Sequence, residues 1–335
     1  MKKIRVIQYG LGAMGSMMAR LMLQKRDLEV VGCIIQRPEK NGKDLGELLN
    51  LKKRTGVICS NRPEKAFKET DADIMLHAAV SYVPQVWKQI RPAVERGISV
   101  VTIAEEMGYP YKKYPALCKE MDTTAKRNGA RILGSGINPG FAMDYLPLAM
   151  TSILHHINSI KVTRLVDFSP FGPAIQQNIG IGLTKEQFKE GIKSKKLPAH
   201  IGLPESLHMI ADSLGWNIDK ITETKEPVIG KKTIKNSNGT VPKGRVAGFD
   251  QRCTGYVNGK AKIILEELGR VDPKLAYSNT IQIKGTPNLA ETMTVPPGQY
   301  TTTAHAVNII PAALKAPAGL LTMKDIALAY ALPDK

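Results

Sequence analysis

Over roughly the first 135 residues, short runs of β-branched and aliphatic side chains alternate with longer stretches whose apolar residues recur every three or four positions. That alternation is how a parallel sheet with crossover helices reads. Strands are predicted at Ile4–Tyr9, Glu29–Ile35, Gly56–Cys59, Ile74–Ala78, Ser99–Ile103 and Ala130–Leu133, and helices at Ala13–Gln24, Glu64–Glu69, Pro84–Glu95 and Lys113–Arg127. In the first helix Met14, Met17, Met18, Leu21 and Met22 share one face, and flexible thioethers at that spacing are core filling.

After about Gly140 the texture changes to longer alternating stretches at Ile157–Phe168, Trp216–Ile229, Gly244–Tyr256, Ala261–Glu266 and Asn279–Ile283, with helical patterns at Thr184–Lys193 and Pro204–Leu214. This predicts a mixed or largely antiparallel sheet with helices on one face. Asn238-Gly239 and Asn258-Gly259 are hairpin turn signals. A further helix is expected at Thr301–Leu314 and a short one near Thr322–Tyr330, whose apolar residues Ile309, Ile310, Leu314, Leu320, Leu321 and Ile326 need a surface to bury. The expected organisation is therefore α/β. A Rossmann-type doubly wound sheet spans 1–140, an α+β domain spans 141–300, and C-terminal helices over 301–335 pack back beside the first domain.

The 335 residues include 47 Lys and Arg against 30 Asp and Glu, for a net charge of +17. Such a balance raises nucleic acid as a partner. The basic residues are scattered, however, and aromatics are only 5%, too few for a base-stacking platform, so solvated lysines are the better reading. No apolar run approaches the length of a bilayer span, and Arg5 and Gln8 interrupt the apolar start, so a cytoplasmic chain is expected. Cys33, Cys59, Cys118 and Cys253 are far apart, which argues against structural zinc or a disulfide framework.

Gly10-Leu11-Gly12-Ala13-Met14-Gly15 is a G-x-G-x-x-G between the first strand and the first helix, the setting in which the pattern signals dinucleotide binding. Gly10 permits the tight turn, Gly12 admits a pyrophosphate, and Gly15 lets helix and strand pack closely. At the end of the second strand an NAD site expects an acid for the ribose hydroxyls, but the chain reads Gln36-Arg37-Pro38-Glu39-Lys40. Arg37, with help from Lys40, suits a 2′-phosphate, so NADP is favoured over NAD. Two segments lie beyond strand ends on the nicotinamide side, Ala104-Glu105-Glu106-Met107-Gly108-Tyr109-Pro110 and Gly134-Ser135-Gly136-Ile137-Asn138-Pro139-Gly140-Phe141. A carboxylate on the first can cap a helix or, partly desolvated, serve as a general base.

Together with the glycine motif, Glu105-Glu106-x-x-Tyr109-Pro110, Gly136-Ile137-Asn138-Pro139-Gly140-Phe141, His200-Ile201-Gly202-Leu203-Pro204-Glu205-Ser206 and Ala306-Val307-Asn308-Ile309-Ile310-Pro311 resemble the 2,4-diaminopentanoate dehydrogenases and native amine dehydrogenases. The resemblance implies a dihydrodipicolinate-reductase-like coenzyme domain, a substrate domain that makes a homodimer, and NAD(P)-dependent oxidative deamination of a small amine or diamino acid, or its reverse. It also implies that Glu105 or Glu106 is the base. Asn138 and Phe141 would line the nicotinamide and substrate face, and His200 would close the substrate pocket. A C=N or C=C reductase of the dihydrodipicolinate type is the alternative enzyme. His155-His156 with Lys161 invites it, but Val162-Thr163-Arg164-Leu165-Val166 simply continues a strand, and the histidines are expected at a helix end. A non-catalytic NADP-binding sensor is the alternative from another class.

Overall fold

β1 (Ile4–Tyr9) feeds α1 (Ala13–Gln24) and β2 (Leu28–Ile34), and the pattern continues through α2 (Leu45–Leu48), β3 (Cys59–Ser60), α3 (Pro63–Glu69), β4 (Ile74–His77), α4 (Val83–Val94), β5 (Ser99–Thr102), α5 (Pro115–Arg127) and β6 (Arg131–Gly134). This computed structural model describes residues 2–236 and 238–335. Every residue of β4 and β5 is buried, as both faces of a parallel sheet require. α4 carries Val83, Val86, Trp87, Ile90, Ala93 and Val94 inward at helical spacing, each large side chain contributing roughly 1.5–3 kcal/mol on burial. α5 begins at Pro115 rather than Lys113, because proline sits well at a helix start where its missing N–H costs nothing.

The second part of the chain holds α6 (Tyr145–Met150), β7 (His156–Asp167), α7 (Pro173–Asn178), α8 (Lys185–Lys193), α9 (Leu203–Ser213), β8 (Lys220–Ile229), β9 (Ile234–Asn236), β10 (Gly239–Val241), β11 (Val246–Val257), β12 (Lys260–Arg270), β13 (Ser278–Thr286) and β14 (Leu289–Met293). Six of these strands form a sheet ordered β14-β13-β7-β12-β11-β8, antiparallel except between β7 and β12. On β7 the inward residues Ile160, Val162, Arg164 and Val166 are buried and the alternate ones half-exposed. A separate core gathers Val166, Phe168, Phe188, Val246 and Phe249. His155 and His156 do not end a helix: α6 stops at Met150, His155 donates its N–H to Thr286 O at 2.8 Å, and His156 opens β7. Strand pairing with β13 captures that backbone.

After β14 the chain continues through α10 (Gly298–Asn308), α11 (Ile310–Lys315) and β15 (Gly319–Leu321). The single helix expected at Thr301–Leu314 is two, because Pro311 has no N–H to continue the ladder. No helix forms over Thr322–Tyr330 beyond one 3-10 turn at Met323–Asp325, which a Thr322/Asp325 capping box holds. The preceding Gly319–Leu321, too short to show a pattern, is a strand parallel to β6. By contacts the chain divides into one unit of Met1–Gly140 with Tyr300–Lys335 and a second of Phe141–Gln299. The first unit's seven-stranded parallel sheet runs β15-β6-β5-β4-β1-β2-β3, with β1 at the point where strand order reverses.

Candidate active site

The turn after β1 lies at that reversal, where open α/β sheets bind ligands. Gly10 has φ +89°, and a Cβ there would stand 2.3 Å from Ala78 O; at Gly15 it would stand 1.9 Å from Gly10 O. Both positions therefore exclude side chains on the protein's own account. Gly12 differs, for nothing lies within 4 Å of the place its Cβ would take. No protein contact demands glycine there, whereas the approach of a pyrophosphate does. The first turn of α1, which includes Ala13 and Met14, has neither a side-chain cap nor an acid, so its N–H groups remain for an anion. The residues fit a dinucleotide.

Beyond β2, Arg37 is exposed and precedes a 3-10 turn, Pro38–Lys40. Lys40 Nζ donates to Leu11 O at 2.9 Å, which ties this turn to the glycine loop. Lys40 is thus a fastener, and Arg37 keeps its guanidinium in solvent.

Glu105 and Glu106 fall on a 3-10 turn, Glu105–Gly108, immediately after β5. The two have different surroundings. Glu106 is 1% exposed and accepts from Val83 N–H at 3.0 Å, from the Lys113 ammonium and from Tyr114 OH at 3.4 Å. It anchors the start of α4 and the segment before α5. Glu105 is half-buried, and no described residue hydrogen-bonds to its side chain. The turn is held close to the sheet because a Cβ at Gly134, the last residue of β6, would lie 2.0 Å from Met107 O. Asn138, in the loop that follows, is buried, and its bond to Pro139 is cis. Ile137 N–H reaches Thr302 Oγ1 of α10 at 3.4 Å, so the returning chain braces this loop.

Two groups near these strand ends escaped the sequence reading. His77 ends β4, fully buried, with Nδ1 2.9 Å from Thr102 Oγ1 and Nε2 2.8 Å from Gln89 Oε1. Burial lowers its pKa to about 4, with the Gln89 bond opposing, so it is a neutral structural link. Gln8, in β1, donates to Gly10 O at 3.0 Å and supports the turn from beneath. Both sit inside apolar runs, where a polar residue at a strand's carboxyl end was the only signal.

Phe141 and His200 belong to the second unit. The Phe141 ring lies 6.2 Å from that of Tyr145. His200 is clasped by Gln251, which accepts its N–H at 3.0 Å and donates to its carbonyl at 2.8 Å; its Nδ1 lies 3.6 Å from Glu267 Oε2. No group of three or more metal-ligating side chains occurs among the described residues, and no helix is long and apolar enough to cross a membrane.

Residues 141–335 match the family model described as the 2,4-diaminopentanoate dehydrogenase C-terminal domain, and residues 4–102 match the dihydrodipicolinate reductase N-terminus. The chain is 37% identical to 2,4-diaminopentanoate dehydrogenase of Acetoanaerobium sticklandii, over 99% of this chain and 96% of that one. It is 23% identical to an amine dehydrogenase of Streptomyces virginiae over 82% of this chain and 77% of the relative. The solved amine dehydrogenase of Mycobacterium smegmatis superimposes with a TM-score of 0.88 at 30% identity, covering 98% of this chain and 97% of that one.

Proposed function

The chain belongs to the 2,4-diaminopentanoate dehydrogenase family, and from that premise we propose that it oxidatively deaminates a small diamino acid, 2,4-diaminopentanoate first, with NADP preferred over NAD and Glu105 as the base. The observation that carries the assignment is the contrast within the acidic pair. Glu106 is engaged by three donors inside the fold, while Glu105 stands half-buried past β5 with its carboxylate uncommitted.

A bound nicotinamide would supply the acceptor for the hydride that leaves the amine-bearing carbon. Glu105 first accepts a proton from the substrate ammonium, so that the nitrogen lone pair can assist that loss. Once that proton has passed to solvent, the carboxylate is anionic again, faces the cationic imine that results and lowers its energy. Next it takes a proton from the water that attacks the imine carbon, returns it to the nitrogen, and accepts the remaining hydroxyl proton as the C–N bond breaks, leaving 2-amino-4-oxopentanoate and ammonia. Gly10, Leu11, Gly12, Ala13, Met14 and Gly15 hold the pyrophosphate, Arg37 the 2′-phosphate, and Asn138 the nicotinamide side. Phe141 and His200 line the substrate pocket of the second unit. The half-exposed face of that unit's sheet, with Leu165, Ile264 and Leu268, is the surface through which two copies pair. Light scattering should give twice the chain mass.

The test is Glu105→Gln, which keeps shape and hydrogen bonding but not proton acceptance. Turnover should fall by about 10²–10⁴ with NADP affinity unchanged, and kcat/KM should lose its acid limb. If the variant keeps half of wild-type turnover, another group is the base and His200 is next.

A further inference from the structure

Cys33 and Cys59 are separated along the chain but not in the fold. β2 and β3 run parallel in a register that sets Cys33 beside Cys59, and both side chains are buried, at 1% exposure each. Neighbouring strands stand about 4.7–4.9 Å apart, inside the window of about 4.4–6.8 Å over which two cysteine Cα atoms can be bridged. The Cys33 thiol hydrogen-bonds to the Cys59 sulfur and so holds the Cys59 thiol below its usual range; the Lys40 ammonium acts the same way, against burial and Asp44. That same bond, with burial, pushes Cys33 up. One sulfur is therefore the readier nucleophile, and the other keeps its proton. Burial only raises the other two thiols, Cys118 to about 11 and Cys253 as well.

The pair sits under the loop that bears Arg37 and Lys40. That loop hangs from β3 at both ends: Ile35 donates its N–H to Ser60 O, Gly42 donates to Cys59 O and Cys59 donates to Lys43 O, each at 2.9 Å. On the other side of the pair, Ile34 O accepts Gly10 N–H at 2.8 Å at the head of the glycine turn. β3 ends the sheet and is only two residues long, and Ile58 just before it is 55% exposed. A strand held by so few bonds opens locally, which admits a small oxidant to sulfurs that are otherwise covered. A disulfide brings its two Cβ atoms to about 3.8 Å, closer than neighbouring strands stand, so its closure draws β3 inward and takes the loop with it.

We propose that Cys33 and Cys59 form a reversible thiol–disulfide site, oxidised by a hydroperoxide, whose closure weakens NADP binding by displacing Arg37 and the glycine turn. The NADP part rests on the coenzyme reading given above. Cys59, having lost its proton to solvent, attacks one peroxide oxygen; an S–O bond forms, the O–O bond breaks, and the other oxygen leaves and takes a proton from solvent. The Cys33 sulfur then attacks Cys59. The S–S bond forms, the S–O bond breaks, and the hydroxide departs with the Cys33 proton as water. Two electrons pass from the sulfurs to the peroxide, and a dithiol returns them by exchange.

The full-length protein, reduced and freed of reductant, is treated with hydrogen peroxide. Thiols titrated after denaturation should fall from four to two, and a peptide map should show Cys33 joined to Cys59. The dissociation constant for NADP, by fluorescence titration, should rise about tenfold. Dithiothreitol should restore it, which it does not do for oxidised methionine. Cys33→Ser should stop at a Cys59 sulfenic acid that a 1,3-diketone traps, Cys59→Ser should give no disulfide, and Cys118→Ser should behave as wild type. Should either serine variant not fold, the peptide map of the wild type decides. Survival of all four thiols, or their loss without a Cys33–Cys59 crosslink, overturns the proposal, as does a crosslink that leaves NADP affinity unchanged. If the reduced wild type binds no NADP, the coenzyme reading fails, and the map alone decides the site: the crosslink upholds it, and intact thiols overturn it.

Discussion

The two sheets keep their polar groups in different places. In the first unit the glycine turn, Arg37, Glu105 and Asn138 all follow the carboxyl ends of strands, because a parallel sheet covered on both faces leaves only its ends open. In the second unit Arg164 and Glu267 rise from within strands and Asn279 from the start of its own, all three on one face of the sheet. An antiparallel arrangement with one buried face can carry a polar group at any inward position, provided something pairs with it. Chemistry at strand ends comes with turn residues and motifs. Chemistry on a sheet face hides inside an alternation that otherwise reads as packing.

Acid should separate the two units most. His77 and His305 of the first unit are both pulled down to about 4 by burial, in His77 against the Gln89 bond. A histidine with a depressed folded pKa gives stability that is complete above the unfolded value near 6.5 and lost as pH falls towards 4. At pH 5 each should cost the first unit about 2 kcal/mol. The only two tryptophans, Trp87 and Trp216, report one unit each, so urea melts of Trp216→Phe and Trp87→Phe at pH 7 and pH 5 measure the difference. An equal acid loss in both melts would break the comparison.

Gly134→Ala comes next. Its methyl must displace the backbone at Met107 and with it the turn that bears Glu105; if Glu105 is the base, as proposed, a shift of that size should cost about 10²-fold in kcat. NADP affinity, measured by fluorescence titration, should hold. Arg37→Ala tests the coenzyme end: KM for NADP should rise by the equivalent of about 1.5–3 kcal/mol while that for NAD stays put. Equal effects on both coenzymes would remove Arg37 from the site. The smallest effect is expected at Glu106→Gln. Lys113 is more than half exposed, so its ion pair is screened, and thermal denaturation should show a loss of only about 1 kcal/mol with near-normal turnover.

The coenzyme half was legible because three independent signals coincide at one place: a strand, a G-x-G-x-x-G and an amphipathic helix. The acidic pair was visible too, but not the division of labour within it, which depends on Val83, Lys113 and Tyr114 arriving from two other elements. Arg164 was in plain view and read as strand. A cation at an inward position of an alternating run was the signal, and only the register with Glu267 and Asn279 gives it meaning. β15 was missed because three residues carry no period. The break between α10 and α11 was written in Pro311, whose apolar surroundings mask it.

β15 also bears on how a ribosome can make this molecule. The first unit's sheet is closed by Gly319–Leu321, and its far corner is sewn by Lys25 to Asp334 and by the backbone bonds Arg26 N–H to Pro333 O and Lys335 N–H to Gln24 O. Synthesis runs at about 5–20 residues per second, so β6 waits on the order of ten to thirty seconds for its neighbour while the whole second unit is translated. Through that interval β6 is a bare strand edge, able to template the wrong partner. A nascent chain stalled just after Gly140 should therefore need a chaperone at that edge, and release of the last three dozen residues should end the need.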